Sequence, residues 1–164
     1  MTGAAIRDAH EADFDGVVAL NAGEERQTSP MDVDRLRHLD ALADYHRIVE
    51  VDGTIAAFLL AMRDGRAYRN ANYAWFAARY ATFVYIDRIV VGARHQGLGF
   101  GRLLYHDLFE WARSRGIGVI ACEYNIVPPN EPSRIFHRKF GFREVGSQCS
   151  DDATKQVSMQ VAQI

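Results

Sequence analysis

Three alternating glycines follow an apolar run near the middle of this chain and precede a helical pattern. The apolar run is Tyr85–Val91, and the glycines lie within Gln96–Gly101, which reads QGLGFG. Glycine lets the backbone adopt a positive φ and turn its N–H groups toward a ligand. The first N–H groups of the following helix lack partners inside it, and the helix dipole adds partial positive charge there. The pattern predicts a loop that binds a phosphate or a pyrophosphate.

Two common phosphate loops do not fit these residues. The nucleotide P-loop needs a Lys-Ser or Lys-Thr pair after its glycines, and no such pair follows here. The dinucleotide fingerprint G-x-G-x-x-G needs a third glycine where this sequence has Arg102 or Leu104. That fingerprint also belongs to the first strand of its unit, whereas about half of this chain comes earlier.

A third kind of loop does fit. Residues 96–101 resemble the acetyl-CoA pyrophosphate loop of the GNAT superfamily of N-acetyltransferases, in which Gln or Arg is followed by x-x-G-x and then by Gly or Ala. Residues 94–99 fit a second register. The first register is preferred because it keeps the family's spacing from Val91 and its apolar residue at Leu104.

A second segment strengthens the resemblance. Residues 130–142 read NEPSRIFHRKFGF, which is similar to the family's N-x-x-A/S-x-x-h-Y-x-x-h-G-F, where h is apolar. His137 stands where the family usually has Tyr. One helix pattern and one strand pattern separate the two segments, as the family requires. The resemblance covers residues 83–145 and is only topological elsewhere.

The remaining patterns predict an α/β (α+β) fold. Helical spacing begins at Asp13 and Asp32, each a candidate cap, and a polar turn is expected over residues 23–30. The other predicted helices are 102–115 and 132–140. The predicted strands are 5–7, 45–51, 54–63, 83–91, 119–124, 142–149 and 156–162. This order matches the GNAT fold, so we expect one domain over residues 1–164, with a mixed sheet of about six or seven strands and about four helices.

The resemblance implies which residues hold acetyl-CoA. The loop amides and the helix start would bind the pyrophosphate, and the pantetheine arm would lie between strands 83–91 and 119–124. For Asn130 the alternative is a helix N-cap. The implied coenzyme contacts are Ile89, Val90, Val91, Gln96, Gly97, Leu98, Gly99, Phe100, Gly101, Arg102, Asn130 and Ser133.

Direct acetyl transfer to an amine needs a base, since an alkyl ammonium has a pKa near 10.4. Asp87 and Glu123 are the candidates, because each lies on a strand expected to flank the acyl group. Asp87 has the alternative of an ion pair with its neighbour Arg88. A main-chain N–H near Ile89 to Val91 is expected to stabilise the oxyanion.

The leaving thiolate is usually protonated by the Tyr that His137 replaces. Imidazolium can donate a proton, so His137 is one candidate acid, and Tyr124 is another. The alternatives for His137 are an exposed helix histidine or a phosphate contact.

Residues 66–82 form a long, aromatic-rich link, which in a compact domain is often functional. Tyr73, Trp75 and Tyr85 are the candidate acceptor contacts. Aromatic faces attract ammonium groups, which favours an apolar or cationic acceptor. The expected acceptor is a small-molecule amine or a protein amino group. Two alternatives stay open: a non-catalytic acyl-CoA-binding regulatory module, and an acyltransferase with a different acyl donor.

Composition and charge limit the partners and cofactors that the chain is expected to bind. The formal net charge is −2 and hydrophobic residues make up 48% of the chain, so nothing points to nucleic acid or to a membrane. The histidines show no metal-ligand spacing, and no metal is expected. Cys122 is expected in the core rather than as a nucleophile, and two cysteines suggest no disulfide scaffold. We expect a cytoplasmic monomer or homodimer.

Overall fold

The computed structural model describes residues 3–24, 29–150 and 153–164. Within these ranges it has seven strands and five α helices, with short 3₁₀ turns at Glu11–Asp13 and Ala93–His95. The strands are β1 (Ala4–Asp8), β2 (Tyr45–Val51), β3 (Thr54–Arg63), β4 (Val84–Val91), β5 (Val119–Val127), β6 (Arg143–Cys149) and β7 (Gln156–Gln163). The helices are α1 (Phe14–Ala22), α2 (Val33–Leu42), α3 (Ala71–Ala77), α4 (Phe100–Ser114) and α5 (Glu131–Lys139).

All seven strands belong to one sheet, in the order β1-β2-β3-β4-β5-β7-β6. β4 and β5 pair in parallel, whereas β1–β2, β2–β3, β5–β7 and β6–β7 are antiparallel. The predicted mixed sheet is therefore confirmed. The chain as a whole divides into two compact units, each with most of its contacts inside itself.

The first unit contains Met1–Met62 and Ile86–Trp111. β2 and β3 form a hairpin around the positive-φ pair Asp52 and Gly53, as an Asp-Gly turn predicts. The carboxylate of Asp32 caps α2 by accepting the Arg35 N–H at 2.7 Å. Asp13 precedes α1 without capping it, because its carboxylate instead binds Arg7 and the His10 N–H.

The second unit contains Arg63–Tyr85 and Ala112–Ile164. Here β4 pairs with β5 at Val84↔Ile120 and Tyr85↔Ala121, and β7 lies between β5 and β6. Along β7, Ser158 and Gln160 alternate with Met159 and Val161, yet all four side chains are buried. Since strand neighbours point to opposite faces, one buried face of β7 is polar.

Residues 66–82 differ from the prediction of an irregular link, because they contain α3. The Asn70 side chain caps this helix by accepting the N–H groups of Asn72 and Tyr73, and Tyr73 and Phe76 are buried. The capping signal was present, but seven residues are too few to show a helical period clearly. The prediction for residues 23–30 includes 25–28, which lie outside the described residues. β5 also extends to Val127, past the predicted end at residue 124.

Candidate functional site

The glycine-rich loop joins β4 to α4. Gly97 has φ +81° and Gly99 has φ +84°, values that other residues rarely adopt. A Cβ at either position would have no atom within 4 Å, so the backbone conformation rather than crowding requires glycine. Gly101 lies inside the first turn of α4, where no such requirement is seen. The predicted positive φ is therefore found at Gly97 and Gly99.

The start of α4 adds backbone amides beside this loop. The Leu103 N–H bonds the Gly99 carbonyl at 2.9 Å, so the amides before Leu103 precede the first helical hydrogen bond. Leu98 and Arg102 are exposed beside them, and the Gln96 amide reaches the Glu24 carboxylate at 3.2 Å. Exposed amides at the positive end of a 15-residue helix fit a diphosphate.

Asp87 forms an ion pair that is almost completely buried. Its Oδ2 lies 3.0 Å from Nε of Arg88, and the two side chains are 4% and 7% exposed. Arg88 also donates to the Asn21 side chain and to the Ser29 carbonyl, both at 3.0 Å. These contacts place Asp87 in a network that ties β4 to the region around α1, which is the alternative role considered for it.

The Glu123 carboxylate accepts hydrogen bonds from two uncharged groups. Its Oε1 accepts the Tyr85 hydroxyl at 2.8 Å and the Asn72 amide at 3.0 Å, and the side chain is half-buried on β5. Asn72 in turn accepts a hydrogen bond from Gln148 at 2.9 Å. The structure thus joins two predicted residues, Tyr85 and Glu123, with two that sequence reasoning missed. Asn72 lies in the segment singled out by its aromatic content, whereas nothing in the sequence marks Gln148.

α5 carries the second polar cluster. Asn130 is its N-cap and accepts the Ser133 N–H at 3.3 Å, which is the alternative considered for Asn130. His137 is buried, and its Nδ1 lies 2.7 Å from the Ser133 carbonyl. Since a carbonyl only accepts, Nδ1 carries a proton and donates it. The exposed position considered for His137 is therefore wrong.

Burial also sets the charge of His137. Desolvation lowers the pKa of its imidazole, and the hydrogen bond to Ser133 opposes that shift only in part. The neutral ring is favoured at pH 7, and a neutral imidazole is a poor proton donor. Tyr124 lies next to it, with ring centroids 5.6 Å apart, and the Tyr124 hydroxyl accepts the Gln160 amide at 3.2 Å.

The aromatic residues of the 66–82 segment have definite packing roles. Tyr73 is buried, and its hydroxyl donates to the Arg63 carbonyl at 2.8 Å and accepts the Arg66 N–H. The guanidinium of Arg79 lies 3.7 Å from the centre of the Trp75 ring. A ring face that already holds a cation does not offer itself to the ammonium group of a ligand. These contacts give Tyr73 and one face of Trp75 packing roles inside the protein.

Other chemistries find no support among the described residues. Burial raises the pKa of the Cys122 thiol far above its usual range, so a thiolate nucleophile is disfavoured. In the part of the chain that the structure describes, no group of three His, Cys, Asp or Glu residues is placed to hold a metal ion. None of the described helices combines the length and apolar character needed to cross a bilayer.

A mixed seven-stranded sheet, with a glycine-rich loop between β4 and α4, is the architecture expected of an acetyl-CoA-dependent acetyltransferase. The sequence profile of the acetyltransferase (GNAT) family matches residues 4–142. The chain belongs to this family, and acetyl-CoA is its cofactor.

Solved structures share the fold at low sequence identity. Ard1 from Thermoplasma volcanium is 15% identical, with a TM-score of 0.80 over 98% of this chain and 97% of that one. The ribosomal-protein-S18-alanine N-acetyltransferase from Escherichia coli is 16% identical, with a TM-score of 0.74 over 99% and 94%. The yncA protein from Salmonella typhimurium, solved with its cofactor acetyl-CoA, is 20% identical, with a TM-score of 0.74 over 98% and 94%. Comparison with curated proteins gives no match.

Proposed function

We propose that this enzyme transfers an acetyl group from acetyl-CoA to a primary amine by direct attack, with Glu123 as the general base. The observation that carries the proposal is the carboxylate of Glu123, fixed on β5 by the Tyr85 hydroxyl and the Asn72 amide. Two donors on one oxygen hold the group in a single orientation, which a base acting on a bound amine requires.

The coenzyme site is assigned to residues whose geometry fits a diphosphate. The amides of residues 96–101 and the start of α4 supply N–H donors without side chains. The main chain of residues 89–91 is proposed to hold the pantetheine arm and to stabilise the oxyanion. When bound, acetyl-CoA supplies the thioester carbonyl that the amine attacks. Asn130 and Ser133 are proposed as further coenzyme contacts, although the Asn130 side chain also caps α5 by accepting the Ser133 N–H.

Glu123 suits the role of base better than Asp87 does. An amine acceptor arrives mostly as its ammonium ion and must lose a proton before it can attack. Glu123 can take that proton directly or through a water molecule. The Asp87 carboxylate is already committed to a buried guanidinium, and removing its charge would leave Arg88 buried without compensation.

Tyr124 is the proposed acid for the leaving thiolate. His137 occupies the position of the family's Tyr, but burial keeps its ring neutral. Tyr124 places a hydroxyl beside that position from β5 instead of from α5. The proton donor is thus proposed to lie on β5, whereas the family's Tyr corresponds to a position on α5.

The acceptor is proposed to be a small-molecule amine or a protein amino group. The name of the Escherichia coli structure specifies an alanine of a ribosomal protein, which supports keeping protein acceptors in the screen. The half-buried Trp75 is proposed to flank the amine away from the ring face that Arg79 covers, whereas the buried Tyr73 and Tyr85 are not. We propose that residues 1–164 act as one catalytic domain, because the family profile spans parts of both units. The free cysteines, one of them exposed, support a cytoplasmic location.

Glu123→Gln tests the base directly. Glutamine keeps an oxygen that can accept from Tyr85 and Asn72, but it cannot take a proton. We expect kcat to fall by about 100-fold or more, with the Kd of acetyl-CoA unchanged. Turnover is measured as thiol release over a panel of amines and peptide N-termini.

Two further variants sharpen this test. Glu110→Gln makes the same change on the exposed side of α4 and should retain kcat. Asp87→Asn should lower stability more than turnover. If it abolishes turnover in folded protein while Glu123→Gln does not, the base is Asp87 and the assignment is wrong.

A further inference from the structure

A chain of hydrogen bonds runs across one face of β7 and ends at the Tyr124 hydroxyl. The Ser158 hydroxyl lies 2.5 Å from Oε2 of Glu144, and Nε2 of Gln160 lies 2.6 Å from the Ser158 oxygen. The same Nε2 lies 3.2 Å from the Tyr124 oxygen. Ser158 is 0% exposed and Gln160 is 3% exposed, so the middle of the chain is shielded from water.

The strand register brings these residues together. Tyr124 lies opposite Ser158, and Gln160 lies opposite both Cys122 and Glu144. Residues paired across antiparallel strands present their side chains on the same face. A buried glutamine in the middle of a strand is costly unless its amide is hydrogen-bonded, and here both of its amide protons are used.

The chemistry of the four groups fixes the direction of every bond. A carboxylate only accepts, so Ser158 must give its single proton to Glu144. The Ser158 oxygen then accepts from Gln160, which sets the amide with Nε2 toward it. The second proton on Nε2 points to Tyr124, whose oxygen must accept it. The Tyr124 proton is therefore directed away from β7.

We propose that Gln160 is a positioning residue that holds the Tyr124 hydroxyl in this donating orientation. This inference rests on the proposed function, in which Tyr124 protonates the leaving group. As the C–N bond forms and the C–S bond breaks, Tyr124 gives its proton to the sulfur, and the phenolate regains a proton from water. The proton lost by the amine leaves through Glu123. Without Gln160 the Tyr124 hydroxyl can rotate and donate its hydrogen bond to Ser158 instead of to the leaving group.

A double-mutant cycle tests the role. Gln160→Met keeps the length of the side chain and removes both donors, and we expect kcat to fall roughly three- to tenfold while the KM for acetyl-CoA stays the same. In a Tyr124→Phe background the same substitution should cost nothing further, because its effect passes through the hydroxyl. Gln163→Met, an exposed position on the same strand, is the matched control.

A second variant and a spectroscopic measurement guard against an ambiguous result. Ser158→Ala frees the amide without removing it, and we expect a smaller loss that also vanishes in the Tyr124→Phe background. The ¹³Cζ signal of labelled Tyr124 should shift in Gln160→Met and Ser158→Ala but not in Gln163→Met. This signal is read without turnover, so it separates the hydrogen-bond chain from the reaction.

The outcomes are distinct. Equal losses of kcat from Gln160→Met with and without the Tyr124 hydroxyl, or an unshifted Tyr124 signal, would overturn the positioning role. Absence of turnover by the wild-type enzyme on every amine, with the Tyr124 shift intact, would instead overturn the proposed function and with it any catalytic use of the chain.

Discussion

The two candidate bases differ in what surrounds them rather than in what they are. Asp87 and Glu123 are both carboxylates on adjacent strands, yet one faces a guanidinium and the other faces a phenol and an amide. Neutral donors fix the orientation of a carboxylate without compensating its full charge, whereas a buried arginine does both. Partner chemistry thus separates a proposed base from an ion pair.

The Tyr85 hydroxyl provides a residue-scale prediction. Tyr85→Phe removes one of the two hydrogen bonds that orient Glu123, so we expect kcat to fall about three- to tenfold with no change in acetyl-CoA affinity. Tyr73→Phe is the matched control, because its hydroxyl bonds only backbone groups in the contacts described above. It should lower the free energy of unfolding by about 1 kcal/mol and leave kcat unchanged. Equal losses of kcat in both variants would contradict the role of Tyr85.

At the scale of elements, the loop before α4 combines two properties that the sequence encodes separately. Positive φ at Gly97 and Gly99 turns the chain, and α4 supplies amides at its first turn. Neither property needs a particular side chain, so the proposed diphosphate site can be built from main-chain amides alone. The glycine pattern marks the turn, and the following amphipathic pattern marks the helix.

Gly99→Ala tests whether the loop binds acetyl-CoA, once the backbone strain of the new side chain is accounted for. A Cβ at φ +84° costs about 1–2 kcal/mol, and we expect the relaxed loop to misplace its amides and weaken acetyl-CoA binding. Gly116→Ala introduces the same kind of strain at φ +71°, just after α4 and away from the loop. Both variants should lose stability, measured by denaturant unfolding, but only Gly99→Ala should lose affinity, measured by calorimetry. Unchanged affinity in Gly99→Ala would refute the loop assignment.

At the scale of the whole molecule, two buried histidines couple stability to pH. Burial lowers the pKa of His46 and of His137 in the folded protein, and Asp40 and the Ser133 carbonyl oppose the shift only in part. In the unfolded chain both rings titrate near pH 6.5. Below that pH the unfolded state therefore binds more protons than the folded state, and protonation favours unfolding.

The expected result is a loss of stability on acidification. The free energy of unfolding should fall as the pH drops through about 6.5, by up to about 1.4 kcal/mol per pH unit for each ring. His137→Phe removes one ring and should reduce this slope, although it also removes the bond to Ser133. Urea unfolding between about pH 7.5 and about pH 5.5, which brackets the unfolded-state pKa, measures both slopes. A wild-type stability that rises on acidification would show that the rings are not held neutral.

Much of the fold followed from local patterns. The strand bounds of β2 and β3 agree with the prediction, because short apolar runs and the Asp-Gly turn between them are local signals. α3 was missed, because it is a single short helix whose stability comes from burying Tyr73 and Phe76. The number of helices was therefore five rather than about four among the described residues.

The sequence by itself determined the family, the glycine-rich turn before α4 and the candidate protein groups, because spacing along the chain records which backbone turns and which side chains are present. Only the tertiary structure decided how those groups are partnered. It paired Asp87 with Arg88, gave Glu123 two neutral donors, and buried His137 while leaving Tyr124 beside it. Charge and proton-donor direction depend on burial and on partners such as Tyr85 and Asn72 that are distant in sequence. A local pattern such as Asp87-Arg88 offers an ion pair but does not decide whether it forms.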